Sequence, residues 1–139
     1  MVSKIFNTAI LPHDAVETAL LSIAPGDDPA KVYGFRLIAQ ARSGNAYLAA
    51  MLISHGADVN TRDKVGMTAL HHAAANDARG CIRVLVECGK CDYLIRNNEG
   101  RYASDLAIEW AQDYAVGRLL TKHQVRQAFI AGVPAYVKN

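Results

Sequence analysis

The chain has 139 residues, of which 51% are hydrophobic and 20% are charged, a size and composition that suit one folded domain with a sizeable core. This balance is that of an ordinary soluble globular protein and excludes a disordered chain. A net charge of +2 is too small to favour nucleic acid or membrane partners, and no apolar run approaches the ~18 residues that a membrane-spanning helix needs.

The first predicted element is a helix over residues 12–23, because Pro12 stands near its start and acidic residues fill its first turn. Its apolar side chains at helical spacing are Val16, Ala19, Leu20 and Ile23. Proline and glycine mark residues 25–29 as a loop. Residues 1–31 are therefore expected to form an N-terminal cap.

A first pair of helices follows this cap. Residues 32–41 predict an inner helix that ends near Gly44, a residue suited to a left-handed helix cap. Asn45 is a good N-cap for the partner helix. The inward face of this partner helix consists of Leu48, Ala49, Leu52 and Ile53. A turn over residues 57–65 leads into the next pair.

The stretch over residues 63–75 organises the rest of the chain. Gly66 suits a tight turn, and Thr68 suits the N-cap of the helix that begins directly after it. The apolar residues that share one face of this helix are Ala69, Leu70, Ala73 and Ala74. A face made mostly of methyl groups lets a neighbouring helix come close but cannot form a core alone. It therefore predicts related segments beside it.

The second half of the chain repeats this arrangement. A left-handed break at Asn76 and Asp77 precedes a second outer helix. The residues that mark this outer helix are Cys81, Ile82, Leu85 and Val86. The segment from Gly89 to Gly100 is one residue longer than the equivalent segment of the preceding unit, which predicts a distorted hairpin.

The end of the chain predicts a third helix pair and a cap. The pair covers residues 103–111 and 114–120, and a separate short helix over residues 122–130 follows. The side chains expected to close the stack are Val125, Phe129 and Ile130. Residues 132–139 are expected to form a loose tail.

Segments of the chain recur at a fixed spacing, within the range of about 20–50 residues that marks stacked repeats. The segment GADVN at residues 56–60 returns in weaker form as GKCDY at residues 89–93, 33 residues later. The pair at residues 52–53 returns at 85–86 and again at 119–120.

The recurring residues resemble the ankyrin-repeat family, whose pattern is Gly-x-Thr-Pro-Leu-His-x-Ala-Ala, then an apolar helix, then Gly-Ala-Asp-x-Asn. The residues that match the first part are Gly66, Thr68, Leu70, His71, Ala73 and Ala74, with Ala69 in place of Pro. Those that match the last part are Gly56, Ala57, Asp58 and Asn60. The resemblance implies an all-α solenoid of about three helix-turn-helix repeats over residues 32–122. It also implies N- and C-terminal capping helices, with residues 123–139 forming the C-terminal cap and tail.

His71 and His72 are the residues that most invite a catalytic interpretation. The resemblance implies instead that His71 bonds to its own turn and to Thr68, and that His72 points to the concave side. The sequence contains no nucleophile elbow, glycine-rich phosphate loop or carboxylate pair at a useful spacing. We therefore expect no enzymatic activity and no cofactor.

Cys88 and Cys91 form a Cys-x-x-Cys motif, which is half of a zinc site or a redox dithiol. Further zinc ligands would have to come from Cys81, His55, His71 and His72. A redox motif should open a helix after a strand, whereas this motif closes a helix. Small, half-buried positions are the favoured interpretation, and a metal- or thiol-responsive site is the alternative. Three cysteines, an odd number, are typical of a reducing compartment, so we expect an unbridged cytoplasmic protein.

The remaining candidates form a surface for a partner. The resemblance implies contacts at the turn tips, which are Arg62, Lys64, Val65 and Met67 in one unit and Asn98, Glu99 and Arg101 in the next. It also implies contacts at exposed inner-helix positions, which are Arg42, His72, Asn76, Leu106, Glu109 and Trp110. Such a mixture of Trp, Met and Arg is typical of an interface hot spot. The alternative for Trp110 is a plug that packs the last helix pair against Tyr114 and Phe129.

The sequence thus predicts a monomeric, non-enzymatic module that binds a protein partner as an inhibitor, adaptor or effector. A second resemblance leaves another function open. Residues 11–28 are similar, through their Leu-Pro, Leu-Leu, Pro and Asp residues, to the opening of an F-box, the segment that recruits a ubiquitin-ligase adaptor. The alternatives are therefore an F-box-like ligase adaptor or an N-terminal cap.

Overall fold

The computed structural model describes residues 11–134, with side chains from residue 15 onward. Residues 1–10 and 135–139, which hold part of the predicted N-terminal cap and most of the predicted tail, lie outside this description. Seven α-helices and no strand make up the regular structure of the described part, which confirms the all-α class. They are α1 (Leu11–Leu21), α2 (Pro29–Ser43), α3 (Ala46–Ser54), α4 (Ala69–Ala75), α5 (Arg79–Glu87), α6 (Ala103–Glu109) and α7 (Tyr114–Ala131).

The helices stack in sequential pairs. The inner helices α2, α4 and α6 contact one another in that order, and each packs on the outer helix that follows it, α3, α5 or α7. The large leucines at the centre are completely or almost completely buried: Leu37, Leu52, Leu85, Leu106 and Leu120. Fully buried alanines stand between them, at Ala41, Ala49, Ala73 and Ala107. These small side chains let successive helices approach closely, as the methyl-rich face of α4 predicts.

The predicted helix ends are present. Gly44 has a φ of 77° and ends α2 in the left-handed conformation. The Oδ1 atom of Asn45 accepts a hydrogen bond from the Leu48 amide at 3.0 Å and caps α3. Asp77 takes a φ of 54°, so the break predicted between α4 and α5 is confirmed.

The segment that resembles an F-box opening forms one helix and a loop against the first repeat. The Tyr33 hydroxyl donates to the carbonyl of Leu21 at 2.7 Å, and Arg36 donates to the carbonyl of Leu20 at 2.8 Å. Helix α1 contacts both α2 and α3. It therefore covers the end of the first helix pair, as a solenoid cap does.

The end of the stack differs from the prediction. Residues 114–131 form one continuous helix of 18 residues, rather than two helices separated near residue 121. Because the helix is not interrupted, the side chains buried beyond Leu120 are those one and two turns later, Gln124 and Ala128. The predicted closing residues face outward instead, and Phe129 is 86% exposed. The prediction that Val125, Phe129 and Ile130 close the stack is therefore wrong.

A buried polar pair joins the last two helices. Ser104 of α6 donates its hydroxyl hydrogen to Oε1 of Gln124 in α7 at 2.7 Å, and both side chains are at most 2% exposed. Replacing Gln124→Met is expected to reduce the free energy of unfolding by about 2 kcal/mol, because the Ser104 hydroxyl then lacks its acceptor in an apolar setting. Urea denaturation measures this loss. The double variant Ser104→Ala with Gln124→Met should recover part of it, and a double variant no more stable than the single one would contradict the account.

Candidate partner-binding surface

Two projecting turns have the same hydrogen-bond pattern. In the first turn, the Asp63 carboxylate accepts from the amides of Val65 and Met67 at 3.0 and 2.9 Å. In the second turn, the side-chain oxygen of Asn97 accepts from the amides two and four residues later, at 2.9 and 3.0 Å. The extra residue of the second segment therefore lies before the turn. The expected distortion of this hairpin is wrong.

The two turns are also bonded to each other. Arg62 donates to the carbonyl of Arg96 at 2.9 Å and to that of Gly66 at 3.2 Å. The backbone amide of Asn98 donates to the carbonyl of Val65 at 3.0 Å. Arg62 and Asn98, both predicted as partner contacts, are exposed but already make bonds that hold adjacent turns in register. The turn tips therefore form one pre-organised edge.

Two of the predicted contact residues are not at the surface. Met67 is 9% exposed and Leu106 is 1% exposed, so the expectation that they project from the protein is wrong. The Met67 side chain turns under the next turn, where its sulfur accepts a hydrogen bond from the Asn97 amide group at 3.3 Å. Sequence position places Met67 at a turn tip, but the neighbouring turn covers it.

His71 has the structural role that the resemblance implies. Its Nδ1 atom accepts from the backbone amide of Thr68 at 3.2 Å, and the His71 amide donates to the Thr68 hydroxyl at 3.3 Å. These reciprocal bonds form a capping box at the start of α4. The Nε2 atom donates to the carbonyl of Arg101 at 3.2 Å, which joins α4 to the next turn. Burial lowers the pKa of His71 to about 4, so the ring is neutral at physiological pH.

His72 is half-buried and bonded to a carboxylate. Its Nε2 atom lies 2.8 Å from Oδ2 of Asp63. Burial raises the pKa of Asp63, but hydrogen bonds from His72 and from backbone amides outweigh this effect and lower the pKa below its ordinary value. The pair ties helix α4 to its own turn, and His72 also lines the surface between the inner helices.

Three adjoining depressions run between the inner helices and the turns. The first, of about 390 Å³, has Phe35, Arg42 and Val65 in its lining, and the second, of about 640 Å³, shares Arg42. The third, of about 260 Å³, is floored by Met67 and shares Trp110 with the second. We call the continuous surface the inner trough, the first depression the Phe35 pocket and the third the Trp110 pocket. The inner trough is lined by Phe35, Arg42, Lys64, Val65, His72 and Trp110.

Trp110 lies at the surface. It is 65% exposed, and Tyr114 and Phe129 are exposed too, so the alternative of a buried plug among these three residues is wrong. Helix α6 ends at Glu109, and Trp110 follows it and lines the Trp110 pocket. Its position beside buried Met67 leaves an apolar hollow that opens to solvent.

The other predicted contact residues border the inner trough or lie near it. Arg101 and Glu109 pair with each other at 3.2 Å, and both are exposed. Asn76 lines the middle depression and donates to the carbonyl of Arg42 at 3.4 Å. Glu99 lies at the rim of the Trp110 pocket.

Phe35 is a member of the inner trough that the sequence reasoning missed. It is 47% exposed on α2. Arg42, which was predicted, lies seven residues further along the same helix, and positions seven apart share one helix face. Applying that spacing backwards from Arg42 finds Phe35.

Comparison with known proteins gives the family. A family model described as ankyrin repeats (3 copies) matches residues 37–128, which is more than half of the chain. This chain belongs to the ankyrin-repeat family. The resemblance drawn from residues 56–60 and 66–74 is thereby confirmed, and so is the all-α ankyrin-repeat fold.

Several curated proteins are similar to parts of this chain. An ankyrin repeat protein of Acanthamoeba polyphaga mimivirus is 43% identical over 53 residues, which are 38% of this chain and 7% of the viral protein. Neurogenic locus notch homolog protein 2 of Homo sapiens is 35% identical over 80 residues, 58% of this chain and 3% of that protein. Notch homolog protein 1 of Xenopus laevis is 34% identical over 83 residues, 60% of this chain and 3% of that protein. The chain spans less than a tenth of the length of these relatives.

Ankyrin repeats generally act as protein–protein interaction modules, and their stacked units create extended binding surfaces. Within residues 11–134, no helix has the length and apolar character needed to cross a bilayer. The inner trough lies on the inner-helix side of the repeats, where the family resemblance places the binding surface.

The Cys-x-x-Cys motif lies away from the inner trough. The thiols of Cys88 and Cys91 both donate to the carbonyl of Leu85, at 3.0 and 3.3 Å, and so satisfy the end of α5. Burial raises the pKa of Cys91 above its ordinary value, which disfavours the thiolate that a metal would need. Over the part of the chain with described side chains, no group of three or more His, Cys, Asp or Glu residues could hold a metal.

Chelation is therefore expected to leave the stability of this protein unchanged. Reduced protein treated with a strong zinc chelator should show the same Tm as untreated protein in a calorimetric scan, because thiols bonded to a backbone carbonyl do not depend on metal for folding. A Tm lowered by the chelator and restored by zinc would contradict this expectation. Cys88→Ser removes one of the two thiols of the motif, and its Tm should likewise not change when the chelator is added.

Proposed function

We propose that this chain is a non-catalytic module that binds a protein partner in the inner trough, with the bonded turn tips as one wall. The observation that carries the proposal is the exposure of Val65 and Trp110, at 56% and 65%, on a surface whose backbone is held by turn-to-turn hydrogen bonds. Apolar side chains held rigidly in solvent are typical of interface hot spots. The ankyrin family membership supports a protein as the partner.

The predicted contact residues now divide into three groups. Side chains that remain candidates for direct contact are Arg42, Lys64, Val65, His72, Asn76, Glu99, Arg101, Glu109 and Trp110. Arg62 and Asn98 keep the turns in register, and Met67 contributes only the floor of the Trp110 pocket. Truncating the first group is expected to weaken binding directly, whereas truncating Arg62 or Asn98 acts by loosening the turns.

A module that binds a partner without catalysing a reaction can act as an inhibitor, an adaptor or an effector, because it occupies part of the partner's surface. We expect it to act as a monomer in a reducing cytoplasm, with neither nucleic acid nor a membrane as its partner. Inside the inner trough the cations are interspersed with the carboxylates of Asp63 and Glu99, rather than arranged as a phosphate-binding track. No specific observation favours the F-box-like or metal-responsive alternatives.

Site-directed photo-crosslinking in the native cell tests the proposal. Asn76→benzoylphenylalanine places a photoreactive group in the middle of the inner trough, and Arg83→benzoylphenylalanine places one on the exposed side of outer helix α5. A defined protein adduct that forms at position 76 and not at position 83 is expected. Crosslinking at position 83 alone, or no adduct at either position, would count against the inner trough as the partner-binding surface.

A further inference from the structure

Two apolar pockets lie on opposite sides of a single turn tip in the inner trough. Val65 lines both the Phe35 pocket and the Trp110 pocket, so its side chain forms the divide between them. Phe35 and Trp110 are the large aromatic side chains of the two pockets, and both are exposed. An extended polypeptide that crosses the turn tip can place one apolar side chain in each pocket. Alternate side chains of an extended chain point to the same side, so two of them can face the protein surface at separate points.

The charge differs between the two pockets. Arg42 and Lys64 both line the Phe35 pocket, and neither takes part in an ion pair within the described part of the chain. The Asp63 carboxylate in the same pocket is bound by His72 at 2.8 Å. Among the residues that the structure describes, the lining of the Trp110 pocket instead contains Glu99 and no cation. The pocket cations without an ion-pair partner among the described residues, Arg42 and Lys64, therefore lie on the Phe35 side of Val65.

The walls of both pockets are held in place before binding. The side-chain Nδ2 atom of Asn98 donates to the carbonyl of Lys64 at 3.0 Å. The backbone amide of Asn98 donates to the carbonyl of Val65, also at 3.0 Å. Arg62 adds its bond to the carbonyl of Arg96. A segment that enters such a surface orders few groups of the receptor, so even a short segment can bind measurably.

We propose that the inner trough selects an extended segment of a protein partner that carries two apolar side chains and a carboxylate beside the one that enters the Phe35 pocket. This inference rests on the proposed function and adds the chemistry of the ligand. The carboxylate pairs with Arg42 and Lys64, the apolar neighbour packs on Phe35, and the second apolar side chain enters the Trp110 pocket against Met67 and Leu106. The cations supply selectivity for acidic segments, and the two pockets supply most of the contact area.

Selection from a phage-displayed library of random linear peptides tests this chemistry directly. Parent protein is expected to enrich peptides in which Asp or Glu neighbours an apolar residue, with a second apolar residue further along. The most enriched peptide, made synthetically with a fluorescent label, should bind Arg42→Glu with Lys64→Glu at least about tenfold more weakly than the parent protein, as expected when a charge pair is replaced by repulsion. Trp110→Ala is expected to weaken the same peptide by a similar factor.

Matched controls lie outside the inner trough. Arg83→Glu reverses an exposed charge on outer helix α5, and Phe129→Ala removes an exposed aromatic ring from α7. Both should leave the peptide affinity unchanged, and circular dichroism verifies that every variant is folded. A peptide in which the acidic residue is changed to Lys should regain affinity for the double charge variant and lose it for the parent protein.

Each other outcome overturns the inference. The assigned charge selectivity is wrong if the enriched peptides show no preference for acidic residues, or if an acidic peptide binds the double charge variant as tightly as the parent protein. The crosslinking result at position 76 does not depend on this outcome and still tests the proposed function. Affinity lost with Phe129→Ala instead of Trp110→Ala places the ligand on α7. Absence of any enriched peptide shows that the inner trough does not bind extended segments. Self-association of the parent protein that Trp110→Ala abolishes would identify a second copy as the occupant.

Discussion

Between about pH 7 and about pH 4.5, this ankyrin protein is expected to lose about 2 kcal/mol of unfolding free energy through the single side chain of His71. The ring is buried and neutral, and its pKa is lowered to about 4 from the 6.5 of an unperturbed histidine. Protonation in the folded state would break the bond in which Nδ1 accepts from the Thr68 amide.

The sign of this pH dependence follows from the order in which the unfolded and folded chains take up a proton on His71. The unfolded chain protonates His71 as the pH falls through about 6.5, whereas the folded chain does so only near 4. The stabilising contribution is therefore fully present above the unfolded pKa and decreases as the pH falls toward the folded pKa. The lowered pKa of Asp63 adds its own loss only at still lower pH, in the carboxylate range.

Urea unfolding over this pH interval measures the effect. His71→Gln is expected to be less stable than the parent protein at neutral pH, because it lacks the full capping box, and to lose most of the pH dependence. His123→Gln is the matched control: burial also lowers the pKa of His123, but that ring is partly exposed and stacks on Tyr93 at a centroid distance of 4.9 Å. If His71→Gln kept the full slope and His123→Gln lost it, the assignment to His71 would be incorrect.

Replacing Gly66→Ala is expected to reduce the free energy of unfolding by about 3 kcal/mol, from a left-handed backbone and a steric clash together. Gly66 has a φ of 78°, a conformation that side chains with a Cβ atom rarely adopt. A Cβ atom there would also lie 2.5 Å from Oδ1 of Asn98 and 2.8 Å from Nη2 of Arg62. These are the side chains that join adjacent turns, so the substitution should also loosen the inner trough.

Gly100→Ala separates the two causes. Gly100 has a nearly identical φ of 80°, but no heavy atom of the described residues lies within 4 Å of the position that a Cβ atom would take there. Gly100→Ala is therefore expected to reduce the free energy of unfolding by about 1 kcal/mol, the part that comes from the left-handed backbone alone. Urea denaturation measures the loss of unfolding free energy in both variants. The difference between the two losses is the cost of the steric clash with the neighbouring turn. Equal losses would show that Asn98 and Arg62 move aside without cost.

Much of the repeat architecture is predictable from residue types alone. The helix ends at Gly44, Asn45, Thr68 and Asp77 follow from local chemistry, since each residue satisfies backbone groups or tolerates a left-handed conformation where it stands. The role of His71 follows from the family resemblance, because the bond to Thr68 lies within one helix turn. Interactions of this short range depend on neighbours in the sequence, which the sequence displays.

The candidate site was predictable only in part. The family resemblance implied that Arg42, Lys64, Val65 and Trp110 face one side of the molecule, and the structure finds them lining one surface. Met67 shares a turn tip with Val65 but is covered by Asn97 from the following turn, a contact between residues 30 positions apart. Sequence position could not distinguish the two, because burial at a turn tip depends on the neighbouring repeat.

The sequence alone determined that related helical segments stack, because each unit must hide a methyl-rich face against the next, and the resemblance of its motif residues to ankyrin repeats indicated which solenoid they form. The tertiary structure decided what the ends and the inner trough look like. Helix α7 continues through residue 121 and buries Gln124 against Ser104, and this pairing depends on the approach of α6. Likewise, whether a turn residue floors a pocket or projects from it is settled by how closely successive repeats stack, which no single repeat encodes.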